Sequence, residues 1–411
     1  APSSVSVLSM MKVATALPPS HVCPQPFLRT SSGGSTFLVV AARCVPRRHA
    51  GGLVRGPGDS PGSPPHQAAT MSANRARGPA PKHTSCPQST VRVGRFAWRR
   101  ARPRTTLPRG NPLQTAVHNR RVKVNGLRVH YLAAGETGSS VILLHGGGLD
   151  CAALTYRYAI APLARDHRVF APDLPGYGRT DKPKVDYTID YYVAFLDRFM
   201  DILGLERASL VGLSMGGGIA LGFTLSHPDR VDRLVLVDAY GLGGEAPWPF
   251  LSYLYVHIPG LSELTLRLTM RSRTVMKWSL RANTLGNPEA ATDDLVEEIR
   301  RLAHPDSARA FASFQKSELG WTGLRTNFAD RLSEIAVPTL IVHGEMDRLV
   351  PVAWARRAHE RIHGSRLVIL PGVGHWSIRE EPERFNEAVI RFLGESDREG
   401  TGPNPVTPPR W

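Results

Sequence analysis

Residues 208–218 read Ala208-Ser-Leu-Val-Gly-Leu-Ser-Met-Gly-Gly-Gly218, and this stretch decides the fold. Ala208 to Val211 is a short apolar run of the kind a strand buried on both faces needs. It ends in Gly212-Leu213-Ser214-Met215-Gly216, a G-x-S-x-G pentad, and a small-residue helix is expected from Met215 to Leu225. A serine on so sharp a strand-to-helix turn needs glycine two positions to either side, because larger side chains would collide there. The pentad alone is weak; between a strand and a helix it marks Ser214 as a nucleophile rather than a structural serine.

Working outward, strands alternate with helices. Arg121 to Tyr131 alternates with period two around Asn125-Gly126, a hairpin turn. Val141–Leu144, Arg168–Ala171, Leu234–Val237, Thr339–Val342 and Leu367–Leu370 repeat the buried-strand pattern, while Thr188–Leu203 and Glu383–Leu393 have helical spacing. The fold class predicted is α/β, a mostly parallel central sheet flanked by helices. Residues 241–328 break the rhythm with helix after helix, punctuated by Pro247, Pro249, Pro259 and Pro288. So long a connection predicts a helical cap over one end of the sheet. The domain division is then 1–118, a disordered basic leader; 119–240, the first part of the α/β core; 241–328, the cap; 329–395, the second part of the core; and 396–411, a disordered tail.

A serine hydroxyl at neutral pH needs a base, and the base an acid to orient it. Asp347, in His343-Gly-Glu-Met-Asp347-Arg-Leu-Val-Pro351, follows the strand ending at Val342. His375, in Gly372-Val-Gly-His375-Trp376, follows the strand ending at Leu370. Both therefore share a sheet edge with Ser214, where open α/β sheets keep their sites. Asp238 and Glu345 are alternative acids, set behind Asp347; His145 and His343 read as loop and structural residues. His145-Gly146-Gly147-Gly148 follows the strand Val141–Leu144, and its glycines let main chain approach a substrate. The oxyanion donors named are the N–H groups of Gly147 and Met215. Gly146, Gly148, Leu213 and Trp376 are the substrate-binding candidates.

His359-Glu360-Arg361-Ile362-His363 satisfies the H-E-x-x-H zinc signature. Its place, on the peripheral helix between the Asp347 loop and the last strand and cut short by Gly364, reads as a chance match, so no metal and no cofactor are expected.

The chain is strongly basic, with 51 Lys and Arg against 35 Asp and Glu, but the excess is local. Residues 1–118 carry sixteen basic residues against Asp59 alone; residues 119–411 carry 35 against 34. Specific nucleic-acid binding is therefore excluded for the body. The leader, rich in Pro, Arg and Ser, fits an organellar transit peptide, a non-specific phosphate grip over Arg92–Arg104, or a translated upstream segment with Met10, Met11 and Met71 as internal starts. Its longest apolar run, Phe37 to Ala42, is far below the ~20 residues of a membrane span. Cys151 alone of four cysteines lies in the body, so a reducing compartment, the cytoplasm, is the default. A homodimer remains open.

On these residues the stretch from Arg121 to Leu393 resembles the α/β-hydrolase fold superfamily. Ala171-Pro-Asp-Leu-Pro-Gly-Tyr-Gly178 is similar to the loop after that family's fourth strand. The Gly146-Gly147-Gly148 loop, Ser214-Met215-Gly216-Gly217 and Gly374-His375-Trp376 resemble the meta-cleavage product hydrolases, which cleave a carbon–carbon bond in vinylogous diketones. Leu213 departs from the Asn those enzymes usually carry before the nucleophile. Where they hold substrate with a cap arginine, Asp294-Leu-Val-Glu-Glu-Ile-Arg-Arg301 offers Glu297 or Glu298, with Arg300 and Arg301 a helical turn away. Ser214 excludes the related dehalogenases and epoxide hydrolases, whose nucleophile is aspartate. These departures make a carboxylic-ester hydrolase the first expectation. Its substrate is a small-molecule ester, partly apolar, met by Trp248, Phe250, Tyr253, Tyr255, Met270, Met276, Trp278, Phe311 and Phe314 as pocket or core. Carbon–carbon cleavage is the alternative, and a non-catalytic binding protein of the same fold the third reading.

Overall fold

The computed structural model describes residues 116–395; the readings of the basic leader and the tail lie outside the described residues. Eight strands form one sheet: β1 (His118–Val124), β2 (Leu127–Ala134), β3 (Ser140–Leu144), β4 (Arg168–Pro172), β5 (Ala208–Leu213), β6 (Val231–Val237), β7 (Thr339–Gly344) and β8 (Arg366–Leu370). Their order across the sheet is β1-β2-β4-β3-β5-β6-β7-β8. β1 and β2 form the expected hairpin, with Asn125 at φ 48° and Gly126 at φ 82°, the left-handed pair of a tight turn. The hairpin begins three residues earlier than its alternation suggested. β2 meets β4 antiparallel, and from β4 onward every pairing is parallel.

Alternating side chains of the buried strands feed two separate cores. Ile142, Leu144, Leu210, Leu234, Leu236 and Ile341 pack under helices Ile189–Ile202, Met215–Ser226 and Val352–Arg361. Val141, Leu143, Val211, Val235, Val237 and Val342 pack under the opposite layer, which includes Pro382–Gly394. Each such side chain contributes about 1.5–3 kcal/mol by leaving water, and the strands show continuous apolar runs because both faces are covered.

Parallel register is what assembles the site. Leu144 lies opposite Gly212, Leu213 opposite Val237, Val237 opposite Val342, and Gly344 opposite Leu370. The carboxyl ends of β3, β5, β6, β7 and β8 therefore finish at one rim, and the loops that follow carry His145–Gly148, Ser214, Asp238, Asp347 and His375.

Between β6 and β7 come the helices Pro249–His257, Leu261–Arg271, Arg273–Ser279, Asp293–Leu302 and Ser307–Glu318, as the helical pattern of 241–328 predicted. Pro249 opens the first of them and Pro288 a short 3-10 turn, both at positions where a missing N–H costs nothing. Thr292 caps Asp293–Leu302 through the N–H of Leu295, with Asp293 and Asp294 in its first turn and Arg300 and Arg301 in its last, matching the helix dipole. Among the described residues no helix is long and apolar enough to cross a membrane.

Candidate active site

Ser214 adopts φ 51° and ψ −117°, a conformation costly for any residue with a side chain. Three hydrogen bonds impose it: its N–H donates to the Val237 carbonyl at 2.9 Å, and its own carbonyl accepts from Gly218 at 3.1 Å and Tyr240 at 3.0 Å. The flanking glycines have steric reasons. A Cβ on Gly212 would lie 2.2 Å from the Gly216 carbonyl oxygen, and one on Gly216 would lie 2.1 Å from that of Leu144. The turn throws the Ser214 hydroxyl out of the sheet edge.

His375 Nε2 lies 2.9 Å from Ser214 Oγ, and His375 Nδ1 lies 2.7 Å from Asp347 Oδ2. Asp347 is fixed in turn, since its Oδ1 accepts from the N–H groups of Leu349 at 2.8 Å and Val350 at 2.9 Å. Burial alone would raise the Asp347 carboxyl, but the charge of His375 and the hydrogen bonds of His343 and His375 outweigh it and hold it well below the usual carboxylate range. Burial alone would lower His375; the charge of Asp347 and its hydrogen bond win, and the imidazole is pushed above its ordinary value.

The Gly146–Gly148 loop runs beside the serine, an ideal Cβ on Gly146 falling 3.6 Å from Ser214 Cβ. Asp150 pins this loop by accepting from the Gly146 N–H at 3.0 Å. His145 is fully buried, its Nδ1 2.7 Å from the Gly146 carbonyl and its Nε2 accepting from the Leu174 N–H at 3.0 Å, which makes it the structural residue expected. Met215 opens its helix, so its N–H has no intrahelical acceptor.

The segment between β6 and β7 touches this rim at several points. The Phe311 ring lies on Gly147, where a Cβ would be 2.4 Å from a ring carbon, and it stacks on Phe314 at 6.2 Å between centroids. The N–H of His375 donates to the Thr284 carbonyl at 2.7 Å. Glu380 accepts from Gly286 at 2.8 Å and from Gly374 at 2.9 Å. At the seam, the Glu298 carboxylate takes Arg157 at 2.6 Å and Arg379 at 2.8 Å. Arg379 also lies over the rings of Tyr158, at 4.9 Å, and Trp376, at 5.6 Å.

A model of the α/β-hydrolase fold matches residues 140–382. The chain belongs to the α/β-hydrolase family. This α/β-hydrolase is 32% identical over 287 residues to the 2-hydroxy-6-oxo-6-(2'-aminophenyl)hexa-2,4-dienoic acid hydrolase of Metapseudomonas resinovorans, covering 68% of this chain and 92% of the relative. It is 31% identical to the 2-hydroxy-6-oxo-2,4-heptadienoate hydrolase of Pseudomonas putida, covering 68% and 97%. A solved meta-cleavage product hydrolase from Pseudomonas fluorescens matches with 28% identity and a TM-score of 0.55 over 67% of this chain and 97% of its own. The resemblance read from the motifs is thus met by named relatives, and the α/β-hydrolase is an enzyme, a hydrolase.

The remaining site residues named from sequence are placed as follows. Leu213 and Trp376 are buried beside Ser214 and His375, and the Trp376 indole N–H has no partner among the described residues. Glu345 turns outward to accept from the Gly372 N–H, which removes it as an acid. Of the two glutamates weighed on Asp293–Leu302, Glu297 pairs with exposed Arg273 and Glu298 is spent at the seam. Arg300 donates to the Met270 and Arg271 carbonyls. His359 bonds Ser365 at 2.9 Å, and the helix Val352–Arg361 ends before His363, so the zinc signature does not present its histidines one turn apart on one helix. Trp248 and Phe250, expected in pocket or core, are exposed; Met276 and Phe314 are buried. Phe311 was named only as pocket or core and Glu298 only at the place of a cap arginine; their contacts with Gly147 and with Arg157 and Arg379, and the Thr284 carbonyl under His375, were not legible, because no local pattern tells against which distant loop a helix face packs.

Proposed function

We propose that this α/β-hydrolase cleaves a carbon–carbon bond in a conjugated 2-hydroxy-6-oxo-dienoate through a Ser214–His375–Asp347 triad. His375 Nε2 takes the Ser214 proton as Oγ attacks the oxo carbon; Asp347 holds the Nδ1 tautomer and supports the charge that forms. The oxyanion falls to the N–H groups of Gly147 and Met215. A carbon leaving group departs only if its electron pair is delocalised, so the 2-hydroxy proton first moves to C5 to give the 2-oxo-3-ene tautomer; breaking C5–C6 then releases a conjugated dienolate, and His375 returns the proton to its oxygen. Water activated by the same imidazole then frees the acyl group from Ser214. The helices between β6 and β7 serve as a cap that excludes bulk water, Phe311 facing the reacting carbonyl's side of the site.

The Ser–His–Asp contact chain carries the serine mechanism, and the named relatives favour carbon–carbon cleavage over the ester hydrolysis expected from sequence. Leu213 and the engagement of Glu298, both departures from the resemblance, favour carboxylic esters as the second reading. The deciding experiment runs a meta-cleavage dienoate beside p-nitrophenyl esters on the same enzyme preparation. Faster turnover of the dienoate, abolished in Ser214→Ala, is expected; turnover of esters alone would replace this reading with the second. A fluorophosphonate that still labels Ser214→Ala would remove the serine from both.

A further inference from the structure

A second buried acid stands behind the triad. Asp238, the residue after β6, is fully buried and sits at φ 44°, a left-handed conformation that a side chain makes costly. Its two oxygens face different loops. Oδ1 accepts from the Gly344 N–H at 2.8 Å, three residues before Asp347, and Oδ2 accepts from the Ser377 N–H at 3.2 Å, two residues after His375. His343, also fully buried, lies between the carboxylates: its Nε2 is 3.4 Å from Asp347 Oδ2 and 3.0 Å from the Val350 carbonyl, while Nδ1 has no partner among the described residues. One side-chain nitrogen or oxygen atom from each of Asp238, His343 and Asp347 lies within 4.8 Å of the other two.

We propose that Asp238 is a positioning residue for the reaction: it clamps the loop of the acid to the loop of the base, and its charge, with His343, sets how readily His375 holds a proton. The proposal rests on the triad reading above. A carboxylate buried this deeply is retained only when its oxygens are satisfied, and here both are taken by backbone N–H groups that no apolar residue could engage. The groups facing Asp238 are His343 and Asp347 from β7 and the loop after it, His375 from the loop after β8, and Glu380 from the helix Ser377–Glu380. The groups acting on His375 are Asp347 first, then Asp238 and Asp150. Burial pushes the Asp238 carboxyl up, while the nearby histidines oppose that rise.

The sign follows. A negative Asp238 favours the protonated imidazole, so removing it makes His375 a free base at lower pH. Asp238→Asn should reduce kcat for the dienoate about tenfold or more with KM changed less, and shift the acidic limb of the kcat/KM profile to lower pH. His343→Gln, which removes a site for positive charge beside Asp347 and keeps both carboxylates, should shift that limb to higher pH. A merely structural role would lower kcat in both variants without moving either limb. Unmoved limbs therefore overturn the proposal, as does full wild-type kcat in Asp238→Asn. If Asp238→Asn does not fold, the direction of the His343→Gln shift decides. Retention of fluorophosphonate labelling in these variants, against its loss in Ser214→Ala, separates failure of this proposal from failure of the triad.

Discussion

The rim of the sheet and the helices between β6 and β7 build the same site by different means. At the rim, each functional side chain is placed by a buried strand, a short loop and backbone hydrogen bonds: Ser214 by Val237 and Tyr240, Asp347 by Leu349 and Val350. The helices contribute a ring laid on Gly147, a carbonyl at Thr284 and an ion cluster around Glu298. They also leave Trp248, Phe250, Leu251, Leu254, Leu264 and Leu268 in water. On the proposed function, the chemistry would reside in a part that tolerates little displacement, and the choice of substrate in a part held on by a few long-range contacts.

Substitutions can break that division. Ser214→Ala should cost on the order of a millionfold in kcat while leaving the unfolding transition unchanged, since the triad acts as a unit. Stopped-flow turnover of the dienoate checks it, and a loss below a hundredfold would end the rim's claim to the chemistry. Asp347→Asn should cost about 10⁴-fold. Because Asp347 is the chief cause of the raised His375 pKa, the residual activity should persist to lower pH than in the wild type, where protonation of His375 quenches it as pH falls. A profile whose acidic limb moves upward instead would contradict the electrostatic assignment.

The next effects fall on the helices. Glu298→Ala leaves the well-buried Arg379 guanidinium without its carboxylate and should destabilise the protein by ~3 kcal/mol in urea unfolding. An unchanged midpoint would show that the seam is not held there. Phe311→Ala should alter the kcat/KM ratio between bulky and small acyl groups by roughly tenfold without moving the pH profile; a shifted profile would merge the two regions that the comparison separates. Leu251→Ser, on the exposed face, should change stability by no more than ~0.5 kcal/mol.

What the sequence conveyed follows the same division. A strand buried on both faces is a run of apolar residues, so its carboxyl end can be counted to the residue, and Ser214, Asp347 and His375 were found as the side chains just beyond such ends. The Asn125-Gly126 hairpin was legible because two consecutive left-handed residues demand those types. The crossing of β4 and β3 in the strand order has no local signature. Helical spacing within 241–328 gave the helices but not their partners, which is why Trp248 was expected inside and Phe311 was not placed on Gly147. Asp238 was weighed only as a rival to Asp347; its hydrogen bonds to Gly344 and Ser377 join positions more than a hundred residues away in the chain.

The bond from the His375 amide to the Thr284 carbonyl has a mechanical corollary. A bulkier guest that sought headroom by prying the overlying strand of chain upward would tug on the proton acceptor's own main chain. On the proposed function, selection by size and competence for proton transfer would be geared together: a molecule that forced this contact apart would disarm the apparatus meant to cut it.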